Sequence, residues 1–381
     1  MVRHLAAQGL NLLIVALIVL AGLIGWSVTS FNGPGPLEKE VIVEIPRGTR
    51  LDGIAERLKQ AGAVSSASLF RIGVRYLGLT DKLKFGVYKF APGVSMREAA
   101  QQLAEGGADA RYRVTFGLRK SGLSVKIADL LADPASKDAQ LSGAERLAAV
   151  EASKSSIVYR VTIPEGWTSY QIVNGLKIIE QFKGEVKEIP AEGSLAPDTY
   201  EFHRGSERAA LLKRMADAQA RILARAWEER APDLPLKTPK EALILASIVE
   251  KETGVAAERP VVASVFINRL RRKMRLETDP TVIYGLTLGK DDLGRDLTRA
   301  DLRRKTAYNT YRIPGLPPTP IANPGQDSIM AVLHPAETDY LYFVADGTGG
   351  HAFATTLEEH KRNKARWDQI KEERARAEEQ N

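Results

Sequence analysis

The hydropathy pattern opens with one long apolar run. No charged residue occurs from Leu5 to Leu37, and Leu12 to Ile24 is almost wholly Leu, Ile, Val, Ala and Gly. A helix rises about 1.5 Å per residue and must cross roughly 30 Å of hydrocarbon, which takes about 20 apolar residues. Leu5 to Trp26 meets that length, with Gln8 and Asn11 as polar interruptions near one end and Trp26 where an interfacial aromatic belongs. A transmembrane helix is predicted over 10–31, with 1–9 on the cytoplasmic side. Arg3 and His4 precede the run and the first acid, Glu38, follows it, so positive charge stays inside and the remainder is exported. A cleaved signal peptide needs a shorter apolar core and a small-x-small cleavage site, which Val28-Thr29-Ser30 supplies poorly.

After the run, Ser30 to Leu37 reads as a linker by its Gly and Pro content, and 32–39 is assigned that role. An internal repeat then begins. Val43-Glu-Ile-Pro-Arg-Gly48 leads into the apolar positions Leu51, Ile54 and Leu58; Val161-Thr-Ile-Pro-Glu-Gly166 leads into Tyr170, Ile172 and Leu176. Each reads as strand, Pro-x-Gly turn and short amphipathic helix. A degenerate third copy is expected from Tyr112-Arg-Val-Thr115, identical to Tyr159-Arg-Val-Thr162, with Ile127 and Leu131 at helical spacing. These units resemble LysM-like modules, small glycan-binding folds that pack short helices on a small sheet. The resemblance implies a LysM-like subdomain over 40–106 and an insertion with the extra copy over 107–158. A purely structural stalk explains the same pattern.

From Ala209 the pattern turns to longer helices: 209–230, 239–253 and 258–272. Thr306 to Gly325 holds too many Pro and Gly to be helical. Tyr340-Leu-Tyr-Phe-Val344 reads as a buried strand, and 357–381 as a charged, solvated helix. The fold class is therefore α+β: the membrane helix, the repeat units, then a mixed α+β domain over 159–365 and a charged tail over 366–381.

Composition narrows the chemistry. The chain has no cysteine, so it carries no thiol nucleophile, no thiolate-bound zinc and no disulfide. The net charge of +7 suits an exported protein near anionic lipid or an acidic polymer. Basic residues are interleaved with acids throughout, which argues against a nucleic-acid stripe. His334 and His351 lack ligand spacing, and no metal site or cofactor is predicted.

One side chain stands out. At about 100° per residue from Ile244, Ile248, Leu245 and Val249 fall between about 40° and 140°, and Glu252 falls near 80°, in the middle of that apolar face. Glu250 falls near 240° and is predicted to face solvent or a salt bridge, whereas Glu252 must point inward or into a cleft. Burial raises a carboxyl pKa, the condition a general acid needs near neutral pH. A structural Glu held by Arg259, Arg269 or Arg275 fits the pattern equally well. Ser247 lies off this face and is rejected as a nucleophile.

The string Ala246-Ser-Ile-Val-Glu-Lys-Glu-Thr253 resembles a signature of the MltG (YceG-like) endolytic peptidoglycan transglycosylases. So do Val262–Leu270, Met274–Gly285, Thr306–Tyr311, Gly315–Pro318, Ile321–Gly325, His334–Ala336 and Tyr340–Gly347, with Thr162–Gly166 and Pro197–Tyr200 upstream. The likeness covers most of 40–365, and 107–156 departs from it. It implies Glu252 as the catalytic acid and base, with Glu250 as the fallback. Glu252-Thr253 is similar to the Glu-Ser pair closing the catalytic helix of other lytic transglycosylases. The implied reaction cleaves the β-1,4 bond between N-acetylmuramic acid and N-acetylglucosamine of nascent glycan strands, forming a 1,6-anhydro end. The implied setting is the outer face of the cytoplasmic membrane, in the periplasm, with peptidoglycan synthases as partners.

Tyr308, Asn309 and Tyr311, on an irregular segment, suit sugar stacking and N-acetyl recognition, and Asp279 joins them as a candidate contact. Glu277, Asp279, Asp198 and Asp346 are candidate second acids, with cap or turn roles favoured for Asp279 and Asp346. A muramidase-type hydrolase, which uses a second carboxylate, and a non-catalytic glycan-binding scaffold remain as alternatives.

Overall fold

The computed structural model describes residues 2–132, 140–153 and 155–379. Two compact units divide the chain: Met1–Val114 with Val125–Val158, and Thr115–Ser124 with Tyr159–Asn381.

The first unit starts with helix α1 (Val2–Asn32). Its segment Leu10–Asn32 is long and apolar enough to cross a membrane. Strand β1 (Val41–Ile45), helices α2 (Leu51–Gln60) and α3 (Ala67–Tyr76), and strand β2 (Gly86–Phe90) follow, and β1 pairs antiparallel with β2. Helix α4 (Met96–Glu105) is closed at its start by a reciprocal pair, Ser95 and Glu98 each bonding the other's backbone N–H. Val43, Ile45, Leu58, Phe70, Phe90 and Leu103 form the core beneath the pair of strands. Phe31, on the last turn of α1, is buried in that core against Gly73. The residues after α1 are also tied down: Gly35 N–H donates to the Gly93 carbonyl and Gly93 N–H to the Leu37 carbonyl. The stretch that composition marks as a linker is thus helical to Asn32 and then pinned, because its glycines admit close backbone approach: a Cβ on Gly35 would meet the Val94 carbonyl oxygen.

Residues 107–158 differ from the expected third repeat. Tyr112–Arg119 is β3 and Gly122–Asp129 is β4, followed by β5 (Gln140–Ser142), α5 (Ala144–Ala152) and β6 (Ile157–Thr162). Ile127 lies on a strand, paired with Leu141, where a helix was expected. A separation of four puts two residues on one face of a helix and also on one face of a strand, so Ile127 and Leu131 could not discriminate. Val114, Phe116 and Leu118 are buried in alternation, the period-two signal of a strand. Gly122, at φ +121, helps turn the chain between β3 and β4. The identical Tyr-Arg-Val-Thr strings are neighbouring strands, β3 and β6.

The second unit continues with α6 (Ser169–Lys177), β7 (Phe182–Lys183), β8 (Thr199–Phe202) and β9 (Ser206–Glu207). The larger sheet has the order β5-β4-β3-β6-β8. The two recognised repeats share their local form: strand, a left-handed glycine (Gly48 at φ +78, Gly166 at φ +71), then helix. Helices α7 (Arg208–Glu228), α8 (Pro239–Glu252) and α9 (Arg259–Arg271) come next, with a single 3-10 turn, Ala256–Glu258, before α9. Three shorter helices follow: α10 (Asp279–Thr287), α11 (Arg299–Arg303) and α12 (Gln326–Leu333). The hairpin β10 (Tyr342–Ala345) and β11 (His351–Ala354) and the terminal helix α13 (Leu357–Glu379) complete the unit. Residues 306–325 are irregular, as their Pro and Gly content predicts.

Helix α8 is the centre of this unit's core. Ala242 and every residue from Ile244 to Val249 are buried, packed with Val262, Phe266, Ile329 and Val332 of α9 and α12. Over that stretch it is covered on all sides, not on one apolar stripe.

Candidate active site

Helix α8 starts at Thr238, whose hydroxyl accepts the Glu241 N–H, with Pro239 on the first turn, where a missing N–H costs nothing. It stops at Glu252 because Thr253 is extended. The Thr253 hydroxyl accepts the Val255 N–H at 3.0 Å and donates to Glu258 at 3.4 Å. Glu252 therefore sits on the last turn of a rigid, buried helix.

Its carboxyl reaches the wall of a cavity of about 420 Å³, lined also by Thr278, Asp279, Tyr311, Arg269 and Tyr342. The Thr278 hydroxyl donates to Glu252 Oε1. Burial pushes the Glu252 carboxyl up to about 7, and the nearby Asp279 charge adds to the rise. The Thr278 hydrogen bond and His351 oppose it. A carboxyl in this state is a proton donor near neutral pH and a base once the proton has left.

Thr278 is itself fixed. Its N–H donates to Thr310 Oγ1 at 3.0 Å, its carbonyl accepts from Thr281 at 2.7 Å, and the Thr281 and Thr310 hydroxyls are 2.8 Å apart, all in the interior. The preceding residue, Glu277, is in the left-handed region at φ +54, uncommon for a residue with a side chain and costing of order 1 kcal/mol or more. Arg269 holds that turn: its guanidinium donates to the carbonyls of Arg275 and Leu276 and pairs with Glu277 at 3.1 Å. Of the arginines considered as partners for Glu252, Arg269 thus serves the neighbouring turn, Arg259 pairs with Glu165 and Asp327, and the Arg275 guanidinium donates to the Tyr311 carbonyl.

Asp279 begins α10 and accepts the Tyr311 hydroxyl at 2.7 Å. Burial and this contact push the Tyr311 hydroxyl up, so it stays a neutral donor. Asp279 and Tyr311 line the cavity with Glu252, but Tyr308 and Asn309 are absent from its lining. The structure does not bring those two expected substrate contacts to the cavity with Glu252. Asn309 is fully buried, and its amide donates to the carbonyls of Leu302 and Arg304 while its carbonyl accepts the Tyr311 N–H. Tyr308 packs on Tyr284 with ring centroids 4.9 Å apart and bonds Thr319. Both shape the irregular segment that presents Tyr311.

Glu250, expected to face solvent or a salt bridge, is half-buried, and its carboxylate accepts the Gly325 N–H at 3.0 Å. Lys251 beside it is exposed, so what covers Glu250 is the Gly325 turn, which lies far along the chain. Among the other acids, Glu277 lines the cavity, while Asp346 accepts the Thr348 N–H at 2.7 Å in a turn. The buried Ser247 hydroxyl donates to the Ile244 carbonyl and accepts the Ile321 N–H. Among the described residues, no group of three or more His, Asp or Glu is arranged to hold a metal.

Sequence reasoning missed Thr278 and the wall formed by Tyr342, His360 and Lys364. His360 and Lys364 stand four apart on α13, a spacing that places them on one face, but nothing local says which face is covered. The segment read as solvated lines the cavity at its start, and His360 stacks on Tyr342 at 5.2 Å.

An elevated carboxyl on a helix end, held by a threonine and facing a cavity with both polar and apolar walls, can supply general-acid chemistry. The YceG-like family's sequence model matches residues 43–142 and 136–366, and the chain belongs to that family. It is 30% identical over 345 residues to the Bacillus subtilis protein named endolytic murein transglycosylase, with 89% of each chain covered. It is 29% identical over 338 residues to the protein of that name from Streptococcus pneumoniae, covering 86% of this chain and 58% of that one. A solved structure of a yceG-like protein from Listeria monocytogenes aligns with a TM-score of 0.47 at 27% identity, covering 85% of this chain and 98% of that one.

Proposed function

We propose that this protein is a membrane-anchored lytic transglycosylase that cuts the bond between N-acetylmuramic acid and N-acetylglucosamine within nascent glycan strands. The observation that carries the reading is Glu252, whose carboxyl burial at the cavity wall pushes up to about 7, so that a large fraction stays protonated near neutral pH. The names of the Bacillus and Streptococcus relatives support it.

In the proposed reaction, the Glu252 carboxyl donates its proton to the glycosidic oxygen as the bond to the muramoyl anomeric carbon breaks. The N-acetylglucosamine hydroxyl leaves, and an oxocarbenium-like centre forms. The carboxylate then takes the proton of the muramoyl 6-hydroxyl as that oxygen bonds to the anomeric carbon. The product is a 1,6-anhydro end, Glu252 is protonated again, and no water is consumed. Thr278 orients the carboxyl, the Asp279 charge adds to its proton affinity, and Asp279 with Tyr311 offers a polar edge to the sugar.

The anchor is α1, with its N-terminus in the cytoplasm and the chain after it outside the cytoplasmic membrane, near the synthases that make the strands. The β1-α2-α3-β2 arrangement, two strands flanking two helices, supports the reading of this part as a LysM-like, glycan-facing module.

A hydrolase reading draws support from Asp279 and Glu277, which share the cavity with Glu252. Mass spectrometry of products from purified glycan strands separates the readings. Anhydromuramoyl ends are expected; reducing ends would mean hydrolysis, and intact strands would mean a binding scaffold.

A further inference from the structure

The face of α3 beside α1 is exposed and apolar. Ile72 is 62% exposed and Tyr76 is 86% exposed, one helical turn apart on the same side. Neither is needed by the core of the first unit, which α3 closes with Phe70 and Val74. A groove of about 510 Å³ runs between this face and α1, lined by Leu23, Ile24 and Val28 on one side and Ile72 and Tyr76 on the other, with Arg97 also lining it.

The position of the groove along α1 identifies its occupant. Phe31 is locked against Gly73, so α3 cannot swing away from the end of α1 without emptying a core position. The apolar segment Leu10–Asn32 is long enough to cross the hydrocarbon, so Leu23 and Ile24 lie in its outer half. Side chains that share a groove with Leu23 and Ile24 are at the same depth. Ile72 and Tyr76 therefore meet the bilayer, and Arg97 lays its stem along the groove with its charged head toward the wet layer. A tyrosine with its ring in the apolar layer and its hydroxyl in the wet layer is the side chain that such an interface selects.

We infer that the first unit rests on the membrane through α3, with lipid acyl chains of the outer leaflet filling the groove between α1 and Ile72–Tyr76. This rests on the reading of α1 as a membrane anchor. It means that the unit is held against the bilayer and does not sway on a tether.

The absence of cysteine allows a direct test. Single cysteines at Ile72, Tyr76, Leu20 and Glu56 in the full chain would carry a nitrobenzoxadiazole label. Each protein would be reconstituted into phosphatidylcholine–phosphatidylglycerol vesicles with brominated acyl chains. Leu20 reports insertion of α1, and Glu56, exposed on α2, reports water. Labels at 72 and 76 should be quenched by the brominated lipid at least two-fold more than the label at 56, with reduced quenching by aqueous iodide. Quenching at 20 with water-like behaviour at 72 and 76 would overturn the docking and leave the anchor standing. Absence of quenching at 20 would overturn the anchor and the docking together. Shielding of 72 and 76 from lipid and iodide alike would assign the groove to a protein and also overturn it.

Discussion

Thr278 donates its hydroxyl to Glu252 Oε1 across 26 residues of chain, joining the end of α8 to the start of α10. The bond acts on a carboxyl that burial has pushed up to about 7, and it is one of two influences that keep the rise in check. Replacing Thr278 with Val removes the donor but keeps the shape. The variant is expected to lose roughly 10- to 100-fold in kcat, since a misplaced catalytic group costs about that much, and its basic limb should move to higher pH. Thr278→Ser should restore both. A Val variant with an unchanged pH profile would show that the hydroxyl does not act on Glu252.

Glu252→Gln is expected to abolish cleavage while leaving the fold intact, as judged by circular dichroism. It should also stabilise the protein above neutral pH. The folded carboxyl is raised from the ordinary 4.5 to about 7, so its contribution to stability is full below 4.5 and is lost as pH rises through 7. At pH 8 the glutamine variant should be more stable by roughly 2 to 3 kcal/mol, and at pH 4 the two should be equal. Urea melts at both pH values provide the check.

The same raised carboxyl sets the pH dependence of the reaction. The active form is protonated, so kcat/KM should be flat in mild acid and fall about ten-fold per pH unit above 7. A rate that climbs between pH 6 and 8 would contradict a general-acid role for Glu252.

Glu250 has a different expected signature. Its carboxylate holds the Gly325 N–H at 3.0 Å, a contact that glutamine can keep with its carbonyl oxygen. Glu250→Gln should retain cleavage within a few-fold, and Glu250→Ala should cost about 1 to 3 kcal/mol by leaving that N–H without a partner. Loss of cleavage in Glu250→Gln at wild-type stability would transfer the catalytic role from Glu252 to Glu250.

Gly73 tests how the anchor helix is seated. A Cβ there would lie 2.0 Å from the Phe31 ring. Gly73→Val should expel Phe31 from the core, with a cost of about 3 kcal/mol, near that of emptying a buried aromatic position. Limited proteolysis within 33–37 should then be faster, because the pinned segment loses its seat.

Much was legible along the chain because it is local. The apolar run, the strand–glycine–helix repeats and the long helices follow from period and turn chemistry, and α7, α8 and α9 lie close to where the pattern places them. The face of α8 that holds Glu252 was legible too, since helical geometry fixes relative angles. What the pattern could not supply is what covers each face. Glu250 was assigned to solvent or a salt bridge because a sequence shows one helix at a time, and the Gly325 N–H that it accepts comes from a residue far along the chain. Ile127, on β4, was placed on a helix because a spacing of four fits both periods. Thr278, Tyr311 and the α13 wall meet Glu252 only through long-range packing, and the same packing takes Tyr308 and Asn309 away from the cavity. The sequence by itself marked Glu252 as a carboxyl on the apolar face of a helix, because relative helical angles are a local periodicity, and left a structural role for it equally open. The tertiary structure decided which neighbours set its proton affinity, because desolvation and hydrogen bonding depend on contacts between distant segments.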